Sequence, residues 1–347
     1  MIATLSSTCT LGEKAAILRF IEGHGLRVHV GEAGATTIVS IIGDPEPGLA
    51  EAIEALPGVA SLSLDAPRYP FVAREARTEP STVKVGDVVI GGRGVVVIAG
   101  PCSVESEDQL LTIARSVAKE GAVLLRGGAF KPRTSPYSFQ GLGQEGLEML
   151  ARAREETGLG VVSEVVAPED IPLMNGFVDM LQVGSRNMQN FRLLSAVGEQ
   201  PTPVLLKRGL MSTIEEMLLA AEYIVGAGNP RVVLCERGIR SFETATRGTL
   251  DISAVPVLKE RTHLPVVVDP SHAAGKRSLV PSLAAAGVAA GADGLLIEVH
   301  DRPEEALSDG PQSLTLEGFA DTMEVVGRIA AAIDRPIDHA AMGRDRP

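Results

Sequence analysis

Groups able to do acid, base or ligand chemistry recur at one kind of position in this sequence, the end of a short apolar run. Cys102 follows Val95–Ala99, Arg126 closes Ala122–Arg126, and Glu164 sits near the end of Gly160–Val165. Arg186 follows Met180–Val183, Lys207 closes Val204–Lys207, and Arg237 follows Val232–Cys235. His272 follows Val266–Asp269, while Glu298 and His300 end the run that begins at Gly294. Packing does not explain the set, because an uncompensated buried charge costs on the order of several kcal/mol.

By charge the groups separate into two clusters. Arg126, Lys131, Arg133, Arg186, Lys207 and Arg237 form a cationic floor suited to a phosphate-bearing substrate, with arginine forks engaging carboxylate or phosphate. Such a floor needs an anion, or counter-carboxylates such as Glu164, to offset its self-repulsion. The second cluster is Cys102, His272 and Glu298, completed by Asp301 or Asp309 from the following loop. Thiolate, imidazole and carboxylate together suit Mn²⁺, Fe²⁺, Co²⁺ or Zn²⁺ better than the purely hard ions.

The elements that must position these groups are eight short runs, each followed by a helix-compatible stretch such as Glu107–Lys119 or Thr213–Val225. Short β-branched runs alternating with longer amphipathic segments predict parallel strands buried on both faces, and eight such units predict a (β/α)8 barrel. A doubly wound sheet ranks second, since no GxGxxG opens a helix after the first run. Leu124 and Arg126, Val162 and Glu164, Leu205 and Lys207, and Cys235 and Arg237 share parity, which turns each polar end inward.

Residues 1–67 read strand, helix, strand, strand, helix, strand, the order of a small α+β ferredoxin-like domain. Residues 68–94 read as a linker and a short hairpin, Val83–Ile90, able to plug one end of a barrel spanning residues 95–338.

The 347 residues are 45% apolar and 22% charged, enough for a large domain and a small one. A formal net charge of -12 argues against a general nucleic-acid or anionic-membrane surface, so any anion site is local. Cys9, Cys102 and Cys235 are far apart with no CxxC, which argues against a disulfide framework. The Ala/Gly-rich stretch Leu279–Ile297 is interrupted by Pro281 and Asp293, and neither a signal peptide nor a membrane span is expected. A cytoplasmic location is the expectation.

The runs Ala99-Gly-Pro-Cys-Ser103, Leu125-Arg-Gly-Gly-Ala-Phe-Lys-Pro-Arg-Thr-Ser-Pro136, Leu206-Lys-Arg-Gly209, Cys235-Glu-Arg-Gly238 and Val268-Asp-Pro-Ser-His272 closely resemble 3-deoxy-D-arabino-heptulosonate 7-phosphate (DAHP) synthases of the type I beta group. The resemblance covers the whole barrel. It implies condensation of phosphoenolpyruvate with erythrose 4-phosphate, the first committed step of the shikimate pathway. It also implies a divalent metal ion on Cys102, His272, Glu298 and Asp309, the last favoured over Asp301 by the run Ala306-Leu-Ser-Asp-Gly310.

By the same resemblance Arg126, Lys131, Arg186, Lys207 and Arg237 contact phosphoenolpyruvate, with Gly184 and Ser185 beside them. Pro132, Arg133, Thr134 and Ser135 match the segment that receives the sugar phosphate. Lys131, Glu164, Lys207, Cys102 and His272 are the residues expected to serve the chemistry. One departure is visible: Gly184-Ser-Arg186 stands where the family often has Gly-Ala-Arg. A homotetramer is expected, and the N-terminal domain resembles one that senses tyrosine or phenylalanine for feedback inhibition.

Two other functions compete. 3-Deoxy-D-manno-octulosonate 8-phosphate synthases resemble the same barrel but carry a Lys-Ala-Asn-Arg-Ser type of run where this chain has Lys131-Pro-Arg-Thr-Ser135. An aromatic amino acid-binding regulatory protein with a decayed barrel would lack catalytic residues, and none is missing.

Overall fold

The computed structural model describes residues 1–33, 36–64, 68–77, 79–132 and 135–338 of the chain. Two compact units are formed, one from residues 1–81 with 260–263, the other from the remaining chain.

The first unit contains β1 (Ile2–Leu5), α1 (Leu11–Gly23), β2 (Arg27–Ala33), β3 (Thr36–Ile42), α2 (Leu49–Glu54) and β4 (Val59–Ser63). Its sheet has the antiparallel order β2-β3-β1-β4, that of the ferredoxin-like pattern. Ala3, Leu5, Val39 and Ile41 alternate onto one face and meet Ile17, Ile21 and Ile53 of the helices. A capping box between Thr10 and Glu13 starts α1. The stretch expected as a linker buries Tyr69, Val72 and Ala73 and forms a 3-10 turn at Arg74–Ala76. Its charges and prolines conceal apolar residues too few to show a period.

The second unit opens with a hairpin, β5 (Val83–Val85) and β6 (Val88–Ile90), turned at Gly86 and Asp87. Eight parallel strands follow: β7 (Val96–Gly100), β8 (Leu124–Arg126), β9 (Gly160–Val165), β10 (Met180–Val183), β11 (Val204–Lys207), β12 (Val232–Glu236), β13 (Val266–Val268) and β14 (Gly294–Glu298). Between and after them lie α3 (Glu107–Lys119), α4 (Gln144–Thr157), α5 (Ile171–Met174), α6 (Phe191–Gly198), α7 (Ile214–Gly226), α8 (Ala254–Arg261), α9 (Pro270–Ala274), α10 (Val280–Ala289) and α11 (Leu316–Ala332). The last strand pairs with the first, Gly294 opposite Val96, which closes the barrel and excludes an open doubly wound sheet.

Inward side chains build one core: Val96, Ile98, Leu124, Val162, Leu205, Val233, Cys235, Val267 and Leu296. Val83, Val85 and Ile90 belong to the same core, so the hairpin plugs the barrel. Each fully buried aliphatic side chain here contributes roughly 1.5–3 kcal/mol. Because strand side chains repeat every two residues, Arg126 follows Leu124 inward, Glu164 follows Val162, Lys207 follows Leu205 and Glu298 follows Leu296. The polar ends thus cap a dry core at the C-terminal rim, where barrel enzymes build their sites.

Candidate active site

At this rim Cys102 follows β7, Glu298 ends β14, His272 lies in α9 just after β13, and Asp309 lies in the loop after β14. One ligand atom from each lies within 4.8 Å of all the others. Ligand atoms about 2.0–2.3 Å from a single tetrahedral ion stand roughly 3.3–3.8 Å apart, so the set needs only a small contraction to hold one.

The protonation pattern also calls for a cation. Asp269 caps α9 by accepting from the His272 amide at 2.9 Å, and its other oxygen accepts from His272 Nδ1 at 2.7 Å. The proton is therefore on Nδ1, and the bare Nε2 faces Glu298 Oε1 at 3.5 Å and Asp309 Oδ2 at 3.8 Å. Burial lowers the His272 pKa, against the pull of Asp269 and Glu298, and favours the neutral ring. Three acceptors, Nε2 and the two carboxylate oxygens, therefore face one another with no proton of their own. The Cys102 thiol, pushed up to about 12 by burial and by Glu298, donates to Asp309 Oδ2 at 3.3 Å. A divalent ion would take that proton's place and reverse the shift.

Beside this cluster is a cavity of about 330 Å³ walled by Lys131, Arg186, Lys207, Arg237, Arg240 and Arg247, with Glu164 and Asp309 as acids. The Arg237 side chain donates to Gly238 O at 2.9 Å and His272 O at 3.3 Å, while its Nε is buried without a partner. Burial lowers the Arg237 pKa despite nearby acids, so its charge is under-compensated, and an anion would supply both charge and acceptor. Lys207 is instead held by Asp269, through a short contact. Burial would raise the Asp269 carboxyl, but His272 and Lys207 hold it well below the usual carboxylate range.

At Gly184 a Cβ would come within 1.9 Å of Glu164 Oε1, so any larger residue there would displace the Glu164 carboxylate. The carboxylate of Glu164 lies beside that backbone and lines the cavity.

Of the residues expected from sequence, Lys131, Pro132, Ser135, Glu164, Gly184, Ser185, Arg186, Lys207, Arg237, His272 and Asp309 line the cavity. Arg133 and Thr134 lie outside the described residues. Arg126 lies behind the wall: its Nη1 donates to Glu298 Oε1 at 2.7 Å and to Pro101 O at 2.9 Å, and its buried Nε has no partner. Opposite charges at the ends of β8 and β14, which flank β7, satisfy one another before either reaches the cavity. His300 and Asp301 also diverge from the cluster. His300 accepts from the Arg302 amide at 3.0 Å and contacts Gln109 at 3.1 Å and Asp301 at 3.2 Å.

Sequence reasoning missed Arg240, Arg247 and Gln312 and gave Asp269 no role of its own. The first two lie in the loop between β12 and α8, where no period marks them. Asp269 was detectable as an N-cap directly before Pro270.

A closed parallel barrel with charged side chains converging at its C-terminal rim places the chain in the (β/α)8 class, whose enzymes build their sites there. Comparison with known proteins narrows the class. The model of the DAHP synthetase I family matches residues 72–333, and that of the DAHP synthase ferredoxin-like domain matches residues 1–63. The chain therefore belongs to the DAHP synthetase I family, and it is an enzyme of the DAHP synthase type.

It is 46% identical over 333 residues to the phospho-2-dehydro-3-deoxyheptonate aldolase of Thermotoga maritima, covering 96% of this chain and 98% of that protein. The crystal structure of the Thermotoga maritima phospho-2-dehydro-3-deoxyheptonate aldolase (DAHP synthase) matches with a TM-score of 0.78 at 45% identity, over 97% of this chain and 99% of that one. The 2-dehydro-3-deoxyphosphooctonate aldolase of Syntrophotalea carbinolica is 34% identical over 273 residues, 73% of this chain and 98% of that protein. No helix among the described residues is long and apolar enough to cross a membrane.

Proposed function

We propose that this chain condenses phosphoenolpyruvate with erythrose 4-phosphate, giving DAHP and inorganic phosphate at the entry to the shikimate pathway. The observation that carries this reading is the adjacency of two opposite demands: acceptors converging at Cys102, His272, Glu298 and Asp309, and beside them a cavity lined by cations in which Arg237 has a buried Nε without a partner. The first set would hold a divalent ion such as Mn²⁺, Fe²⁺, Co²⁺ or Zn²⁺. When bound, that ion supplies Lewis acidity at an aldehyde oxygen.

The protein's own groups do the rest. Arg186, Lys207 and Arg237 fix the carboxylate and phosphate of phosphoenolpyruvate, with Gly184 and Ser185 beside them. Lys131, Pro132 and Ser135, with Arg133 and Thr134 between them, receive the sugar phosphate. Carbon three of the enol attacks the aldehyde carbon, and Lys131, the candidate proton donor, protonates the new alkoxide. Water oriented by Glu164 and Lys207 adds to carbon two, and the resulting hemiketal phosphate loses inorganic phosphate by C–O cleavage.

The N-terminal ferredoxin-like domain, taken as residues 1–67, is proposed to sense tyrosine or phenylalanine, within a homotetramer. Initial rates with and without each amino acid, beside light scattering, test both points.

The 34% identical octulosonate-type relative keeps the five-carbon acceptor in view. Product analysis with phosphoenolpyruvate and either erythrose 4-phosphate or arabinose 5-phosphate decides between them. The expected product is the seven-carbon sugar acid; exclusive use of arabinose 5-phosphate would overturn the assignment.

A further inference from the structure

The loop between β12 and α8 carries Arg247, whose Nη1 donates to Asp309 Oδ1 at 2.9 Å and to Gln312 Oε1 at 2.7 Å. With its carbonyl oxygen turned to a guanidinium, Gln312 presents its amide nitrogen to Glu298 Oε2 and donates to it through a short contact. Each carboxylate of the four-residue cluster is therefore gripped at one oxygen by one of these two side chains, while Glu298 Oε1 also accepts from Arg126. Asp309 Oδ2 faces Cys102 Sγ at 3.3 Å, and Glu298 Oε1 faces His272 Nε2 at 3.5 Å.

The backbone gives a second, independent sign. Asp309 is held in the left-handed region at φ 55°, a conformation disfavoured for residues other than glycine. Its carbonyl accepts from Ser313 Oγ at 3.1 Å and from the Gln312 amide at 3.2 Å, so the segment that bears Gln312 also fixes Asp309 in this shape. Gln312 is buried at 2% exposure, and both ends of its side-chain amide are matched by these partners.

We propose that Arg247 and Gln312 are positioning residues that orient the two carboxylate ligands, so that the loop of the sixth βα unit sets the affinity of the cation site. The proposal rests on the four-ligand metal reading above. An unanchored carboxylate must be ordered by the ion itself, and that ordering subtracts from affinity.

The test uses the full chain, stripped with a chelator and titrated with Co²⁺ while its d–d absorption is followed. Arg247→Ala and Gln312→Ala should each weaken Co²⁺ binding by about 10–100-fold and alter the d–d band, with the metal-free unfolding temperature little changed for Arg247→Ala. Arg247→Lys, which keeps a charged donor, should recover part of the loss, a response that a purely structural role of the loop would not give. The Arg247 side chain is 39% exposed, so Arg247→Ala decides the matter should Gln312→Ala not fold. Wild-type affinity and spectrum in Arg247→Ala would overturn the proposal. Cys102→Ser separates the two levels: if it binds Co²⁺ as the wild type does, the four-ligand reading fails. If it is impaired while Arg247→Ala and Gln312→Ala bind normally, only the positioning role fails.

Discussion

The imidazole of His272 donates through Nδ1 to the carboxylate of Asp269 at 2.7 Å, and this one bond turns the Nε2 lone pair toward Glu298 and Asp309. The same Asp269 oxygen accepts from Lys207 on the cavity wall. Asp269 thus joins the ligand cluster to the cationic cavity through one carboxylate oxygen.

Asp269→Asn should disturb both halves. The amide cannot accept from Lys207 and His272 as a carboxylate does, so metal affinity should fall by about 10–100-fold. KM for phosphoenolpyruvate should rise as Lys207 loses its anchor. Metal titration and steady-state kinetics on the same preparation check this; a loss of kcat alone, with both affinities unchanged, would contradict it.

Arg126→Ala leaves Glu298 buried beside no guanidinium. Removing one partner of a buried ion pair costs about 3–5 kcal/mol, and here the cost should be largest in the metal-free chain, where the Gln312 amide is the main remaining donor to Glu298. Thermal unfolding with and without a divalent ion should therefore show a larger metal-induced rise in the variant than in the wild type. Equal rises in both would count against an ion at Glu298.

The first unit contains its own pH sensitivity. His263 Nε2 meets Phe71 O at 2.9 Å, so it carries the proton, and Nδ1 accepts from Ser81 Oγ at 2.8 Å. Burial lowers the His263 pKa from its ordinary value near 6.5, outweighing the Phe71 bond. In the unfolded chain the ring takes up a proton near pH 6.5, whereas in the folded chain it does so only at lower pH. The stabilisation is fully present above 6.5 and is lost as pH falls through the window below it. The unfolding temperature should drop less between pH 7 and pH 5 in His263→Gln than in the wild type; identical slopes would show that the ring does not titrate this way.

Much of this was legible in sequence because of two periodicities. Runs such as Val204–Lys207 are short, apolar and rich in Val or Leu, and their parity with Lys207, Glu164 or Arg126 points the polar end inward whatever the rest of the fold does. What parity could not show is which inward charge meets which. Arg126 and Glu298 lie 172 residues apart, and only closure of the barrel makes them partners rather than two free ends. Arg240, Arg247 and Gln312 escaped notice for a different reason. They lie in aperiodic loops, where a charged or amide side chain is usually solvated and only the folded course of the loop brings it to the site.

The proposed site would hold one divalent ion on four side chains beside a bound enol phosphate. Crystals grown with Mn²⁺ and phosphoenolpyruvate, measured at the manganese absorption edge, test it directly. The expected result is a single anomalous peak about 2.0–2.5 Å from Cys102 Sγ, His272 Nε2 and the Glu298 and Asp309 carboxylates, with the phosphoenolpyruvate anion on Lys207, Arg186 and Arg237. A peak elsewhere, or an anion bound away from those cations, would contradict it.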